Sequence, residues 1–224
     1  DPANGTGPFP IMVIYKLMEG LKDWEPNEEK RYKHIIENMI YTCELQDRNV
    51  FLWLCAVDLE DKYVTNTYWG SFLDEGFDKH MKEVWGLDKF DIIMGNPPYQ
   101  ELKEGNSKSK AIWQEFVLKS LTKYLNMGGY LVMVHPSGWR NVDGVFKQVQ
   151  IEFRKREMLY LNMNTFKQGS NTFGAKTDFD FYCIRNTPKA DINTKVVDVD
   201  NEVEYIKLRG KEFATSTNSD VYEY

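Results

Sequence analysis

The stretch FDIIMGNPPY, residues 90–99, decides the fold. Its first six residues form a short, largely apolar run, the pattern of a buried strand. The run stops at Pro97 and Pro98, which fix the backbone and remove two N–H donors. Carbonyls and the Asn96 amide oxygen are thereby left to accept hydrogen bonds, and Tyr99 adds a flat stacking face. Such a turn at the end of a buried strand suits a planar group that carries an NH₂.

The same alternation of short apolar runs and amphipathic stretches extends in both directions. Residues 39–45, 65–72, 130–135, 159–164 and 179–185 read as further strands. Residues 11–21, 47–59, 74–85, 109–125 and 145–156 read as helices. In the 109–125 stretch, Ile112, Phe116, Leu118, Leu121 and Leu125 form one stripe, with Gly128 and Gly129 near its end. This order predicts an α/β fold: a doubly wound, mostly parallel sheet with helices on both faces. Residues 196–199 and 203–208 read as a late hairpin, followed by a polar tail over 214–224.

A second motif lies at the start, DPANGTGPF over residues 1–9. A Gly-x-Gly turn before a helix lets a ligand approach the backbone closely. Pro8 and Pro10 are compatible with a helix there, because first-turn N–H groups have no intrahelical partner.

The 224 residues are 42% hydrophobic, enough for a packed core, and no apolar run reaches the length of a membrane span. Cys43, Cys55 and Cys183 show no paired spacing, which favours a reducing, cytoplasmic setting over a disulfide framework. His34, His80 and His135 are scattered, so no zinc spacing arises and no metal is expected. Net charge is −6, but residues 101–156 carry ten basic and five acidic side chains. That block is where a polyanion would be met. Glu101 and Lys103 could form half of a nuclease site, but Asp91 is the sole acidic partner at a strand end, and that reading is set aside. Trp113 and Phe116 fit the buried side of their helix better than a base-stacking platform.

The two motifs together resemble those of S-adenosylmethionine-dependent amino-methyltransferases, with residues 1–9 as the cofactor loop and Asn96, Pro97, Pro98 and Tyr99 as the catalytic tetrapeptide. Cofactor loop first and NPPY later resembles the gamma-type DNA adenine-N6 methyltransferases of restriction-modification systems. The resemblance covers about residues 1–185. It implies a Rossmann-like catalytic domain over residues 1–186, with its first strand upstream of Asp1, and a hairpin and polar tail over 187–224 that could open a further region.

The resemblance also assigns roles. Asp1, Pro2, Ala3, Gly5, Thr6, Gly7, Glu44, Ser71 and Phe72 would bind the cofactor, Glu44 through the ribose hydroxyls. Relatives often carry an Asp in the segment where this chain has Ser71. Tyr99 and Phe173, with Phe166 in reserve, would hold a flipped base, and Lys108 and Lys110 would touch phosphates. The implied partners are duplex DNA with a flipped adenine and a separate recognition or nuclease domain or subunit; no membrane is implied. Because NPPY reads any planar NH₂ group, a protein glutamine amide or an RNA base stays open as acceptor. A non-catalytic fragment that binds cofactor or DNA stays open too.

Overall fold

The computed structural model describes residues 1–101, 110–141, 144–174, 177–188 and 192–207. The chain divides into two compact units, Asp1–Asp88 with Met94–Asn96, and Lys89–Ile93 with the chain from Pro97 onward.

The first unit begins with α1 (Pro8–Gly20) and α2 (Glu28–Asn38). Strand β1 (Tyr41–Glu44), helix α3 (Asp47–Val57), strand β2 (Asn66–Trp69) and helix α4 (Glu75–Glu83) follow. β1 and β2 pair in parallel, from Tyr41 opposite Asn66 to Glu44 opposite Trp69. Ile14 of α1, Ile35 and Ile36 of α2, and Trp53 and Val57 of α3 form one buried cluster with Ile40. Full burial of one such side chain contributes about 1.5–3 kcal/mol. Helix α2 falls in a stretch to which the sequence pattern assigns no element. Most of its side chains are polar, but Asn27 caps it by accepting the Lys30 N–H, and Glu28 and Glu29 sit at its positive end.

Strand β3 (Phe90–Gly95) has the bounds its sequence predicts. The second unit continues with α5 (Trp113–Lys119), a π-helical turn (Ser120–Tyr124) and β4 (Leu125–Pro136). A 3₁₀ turn (Ser137–Arg140), α6 (Lys147–Arg154), β5 (Arg156–Asn164), α7 (Phe166–Phe173) and β6 (Phe179–Pro188) come next. The hairpin of β7 (Thr194–Val197) and β8 (Val203–Ile206) closes the order. The sheet runs β3-β4-β6-β5-β7-β8. Among the described residues, no helix is long and apolar enough to cross a membrane.

The α/β class holds, but the sheet is mixed where the alternation predicts a mostly parallel one. β6 runs antiparallel to both β4 and β5, while β7 is parallel to β5. Helix α7 ends at Gly174, whose φ of +67° turns the chain back alongside β5.

The predicted 109–125 helix also changes character. The π turn interrupts it, and Leu125, the last residue of the predicted stripe, opens β4. Tertiary donors take the freed carbonyls: Arg156 Nη2 reaches Leu121 O at 3.1 Å, and Asn186 Nδ2 reaches Leu125 O at 3.1 Å. Gly128 and Gly129 therefore lie inside a strand rather than after a helix. A Cβ on Gly129 would stand 2.6 Å from the Asp91 carbonyl, so the backbone there approaches too closely for any side chain.

Candidate cofactor and substrate site

Within the first unit, the glycine loop is tied to the C-terminal end of β1. The Asp1 amine donates to Tyr41 O at 2.8 Å, Cys43 N–H to Asp1 O at 3.0 Å, and Asn4 N–H to Cys43 O at 3.1 Å. The first two bonds have the alternation of a parallel ladder. The Asp1 side chain accepts the Ala3 N–H, and Gly7 N–H donates to Asn4 O at 2.8 Å, closing the turn.

Glu44 holds this loop from below. Its Oε2 accepts the Gly5 N–H at 2.8 Å, and its Oε1 accepts the Gln46 N–H at 2.8 Å and Asn49 Nδ2 at 3.4 Å. A carboxylate has about four acceptor positions, and these three bonds from described residues use three of them. The Glu44 carbonyl meanwhile accepts the Gly70 N–H, which brings the Ser71 turn to the same strand end. Ser71 Oγ accepts the Leu73 N–H, and Phe72 is buried against Phe77, with ring centroids 5.0 Å apart.

The two loop glycines are glycine for different reasons. Gly7 is the N-cap of α1 with φ +96°, and a Cβ there would lie 2.3 Å from the Trp53 ring. Its constraint is packing. Gly5 has φ +55°, and among the described residues nothing lies within 4 Å of where its Cβ would be. Its Cα side is open, while its N–H donates to Glu44 and its carbonyl accepts from Asn4. Pro2 is buried, Ala3 is half-buried and Thr6 is exposed.

Asn96 belongs to the same unit. The preceding Gly95 packs under the loop, since a Cβ on it would meet Asp1 Oδ1 at 2.6 Å and Pro2 Cδ at 3.3 Å. Asn96 Oδ1 is buried and has no hydrogen-bond partner among the described residues. Asn4 Oδ1 shares that condition, while Asn4 Nδ2 donates to Gly5 O. The sequence reading passes over Asn4; an Asn directly before a glycine in a tight turn is the signal that marks it. The structure thus brings residues 1–7, Glu44, Ser71 and Asn96 together in one unit.

The remaining sites lie in the second unit. Pro97 is buried, Pro98 exposed and Tyr99 half-buried. Tyr99 O accepts the Ile112 N–H at 3.2 Å. Lys110 is exposed and paired with Glu115, which raises its pKa; Lys108 lies outside the described residues. Phe173 ends α7 with its ring 4.9 Å from Phe179, and is 39% exposed, whereas Phe166 begins that helix and is 52% exposed. Both rings keep a free surface.

Solved structures share this architecture. The M protein of the type I restriction enzyme EcoKI matches 88% of this chain and 43% of its own, at TM-score 0.65 and 16% identity. A nuclease-deletion mutant of the Type ISP restriction-modification enzyme LlaGI, in complex with a DNA substrate mimic, matches 99% of this chain and 25% of its own, at TM-score 0.67 and 13% identity. DrdV, in a complex with DNA, matches 100% and 28% at TM-score 0.62 and 14% identity. At such identities the likeness is one of fold, and the fold is the Rossmann-like α/β fold of methyltransferases.

Residues 21–164 match the model of the Eco57I restriction-modification methylases, and the chain belongs to that family. An uncharacterized adenine-specific methylase of Mycoplasma pneumoniae is 30% identical over 115 residues, 46% of this chain. This chain spans 26% of that relative's length.

Proposed function

We propose that this chain is the catalytic part of a site-specific DNA methyltransferase that methylates the exocyclic N6 amine of a flipped adenine within a restriction-modification system. The observation that carries the reading is Asn96 Oδ1: a buried acceptor without a partner, beside the glycine loop and immediately before two prolines. Leaving a buried acceptor unmatched costs about 1–3 kcal/mol, which a bound amine would recover.

The first unit's residues fit S-adenosylmethionine as cofactor. Among the described residues, nothing meets the Cβ position of Gly5, three bonds use three of the about four acceptor positions of Glu44, and the two residues are fixed by their mutual hydrogen bond. Asp1, Pro2, Ala3, Gly5, Thr6 and Gly7 would form the loop around it, with Glu44 on the ribose and the Ser71–Phe72 turn nearby. When bound, the cofactor supplies an electrophilic sulfonium methyl. The Asn96 oxygen and the Pro97 carbonyl each accept one hydrogen of the target amine, which draws the nitrogen toward sp³ character and frees its lone pair. Tyr99 stacks on the flipped base and Phe173 supports it, offsetting an extrusion cost of a few kcal/mol. Lys108 and Lys110 neutralise phosphates. The DNA complexes of the LlaGI and DrdV relatives support DNA as partner, and target recognition or nuclease activity would reside in further domains or subunits.

We place this catalytic domain over residues 1–186. The hydrogen bonds between Asp1 and β1, which tie the glycine loop to the sheet, support including the loop in that domain.

Transfer of labelled methyl from S-adenosylmethionine by the full-length protein, offered duplex DNA, RNA and protein side by side, tests the reading. Label in N6-methyladenine of DNA is the expected result. Label in a glutamine amide or in RNA alone would replace the substrate, and cofactor binding without transfer to any acceptor would leave a binding fragment.

A further inference from the structure

The second unit holds a buried polar constellation that the proposed chemistry does not use. His135, at the end of β4, is fully buried. Its Nε2 stands 2.9 Å from the Tyr182 hydroxyl, and its Nδ1 stands 2.9 Å from the carbonyl of Pro136. A carbonyl can only accept, so Nδ1 carries the proton and Nε2 accepts from Tyr182. Both ring nitrogens are matched, and one tautomer is selected. Burial lowers the pKa of His135 to about 3 and raises that of Tyr182 well above its ordinary value, so both stay neutral in this arrangement.

The faces of this ring are used as well. The indole of Trp113 lies parallel to the imidazole, with centroids 4.0 Å apart and planes 14° apart. Trp113 is itself 1% exposed, and Phe146 packs on it at 4.6 Å. Trp113 is the first residue of α5, directly after Ile112, whose N–H donates to Tyr99 O. Gln100 bridges to Ala111, and Glu101 N–H donates to Lys110 O at 2.9 Å. The residues that follow NPPY are thus closed into a short ladder, and the rigid end of that ladder is the Trp113–His135 stack.

We infer that His135 is a positioning residue for methyl transfer: its flat ring, fixed by Tyr182 and the Pro136 carbonyl, sets the plane of Trp113 and through Ile112 the backbone that presents Tyr99. This rests on the reading of Tyr99 as the base-stacking residue. Displacements of about 1 Å remote from the chemistry can cost up to a hundredfold in rate. A loosened ladder therefore lowers kcat while cofactor binding, which belongs to the first unit, is spared.

The test compares two variants of the full-length protein, both of which remove the His135–Tyr182 pair together, so that the Pro136 carbonyl loses its imidazole donor equally in each. His135→Phe with Tyr182→Phe keeps a flat ring against Trp113. His135→Leu with Tyr182→Phe does not. The expected result is kcat within about threefold of the parent for the first variant and about tenfold lower for the second. KM for S-adenosylmethionine should be unchanged in both. A target-site 2-aminopurine should be brighter when bound to the Leu variant, because a misplaced Tyr99 no longer quenches it by stacking. Trp113→Leu should reproduce the Leu variant, and serves as the second probe should that variant fold poorly. Equal kcat and equal emission in the two double variants, with Trp113→Leu also at the parent rate, would overturn the inference and leave the stack purely structural. The control Asn96→Ala separates this from failure of the parent reading. If it methylates DNA at the parent rate, both readings fall; if it is inactive while the Leu variant is not impaired, the positioning role alone falls.

Discussion

The glycine-loop region of the first unit and the His135 region of the second both concentrate polar groups, but they are finished to different degrees. Among the described residues, nothing meets the Cβ position of Gly5, and Asn96 Oδ1 and Asn4 Oδ1 are buried without partners. Around His135, both ring nitrogens have partners and the ring face is covered. An unmatched buried acceptor is costly in isolation and becomes favourable only when something binds. A matched network rigidifies its surroundings. The unmatched acceptors have the character of a site, and the matched imidazole that of a rigid element within its own unit.

The sharpest way to break this comparison is at Asn96. Asn96→Ala should leave S-adenosylmethionine affinity nearly intact by calorimetry and cut methyl transfer at least about a hundredfold, the scale for one lost oriented contact. Transfer at the parent rate would show that the unmatched oxygen is incidental.

The two glycines should separate stability from binding. Gly7→Ala places a methyl into the Trp53 ring at positive φ, and should cost about 2–4 kcal/mol in denaturant unfolding. Gly5→Ala meets no atom of the described residues and should cost only about 1–2 kcal/mol through its φ, while weakening cofactor binding. Equal stability losses would mean that Gly5 is constrained by packing as well.

Acid should expose the finished network. The pKa of His135 is about 3 in the folded chain and about 6.5 when unfolded, so its contribution is present above pH 6.5 and is lost as pH falls toward 3. The Tm gap between the parent and His135→Phe with Tyr182→Phe should therefore shift against the parent between pH 6.5 and 4. A gap independent of pH would indicate that the ring is protonated in place. Asp180 titrates in the opposite sense, since burial raises its pKa to about 7 despite Arg140, but it is present in both proteins and cancels.

The smallest effect is expected at Lys110. Because Glu115 already pairs with it, Lys110→Ala should flatten the slope of log DNA affinity against log salt by at most about one. A change in sequence preference would mean that it reads a base rather than a phosphate.

Sequence alone determined the β/α alternation, the bounds of β3, the glycine turn before α1 and the late hairpin. Each is written in local terms: apolar runs, prolines, glycines and their spacing act within a few residues of one another. Helix α2 escaped the pattern because its charged face outweighs Ile35 and Ile36, whose value lies in the cluster they join with Ile14 and Trp53. The π turn and early start of β4 depend on Arg156 and Asn186, which lie some 35 and 61 residues along the chain from the carbonyls they satisfy. Only tertiary structure could decide that Gly7 answers to Trp53 while the Cβ position of Gly5 meets none of the described residues. The same is true of His135, read along the chain as a scattered histidine. Its meaning is set by Tyr182 and Trp113, because burial and hydrogen-bond matching are properties of neighbours in space.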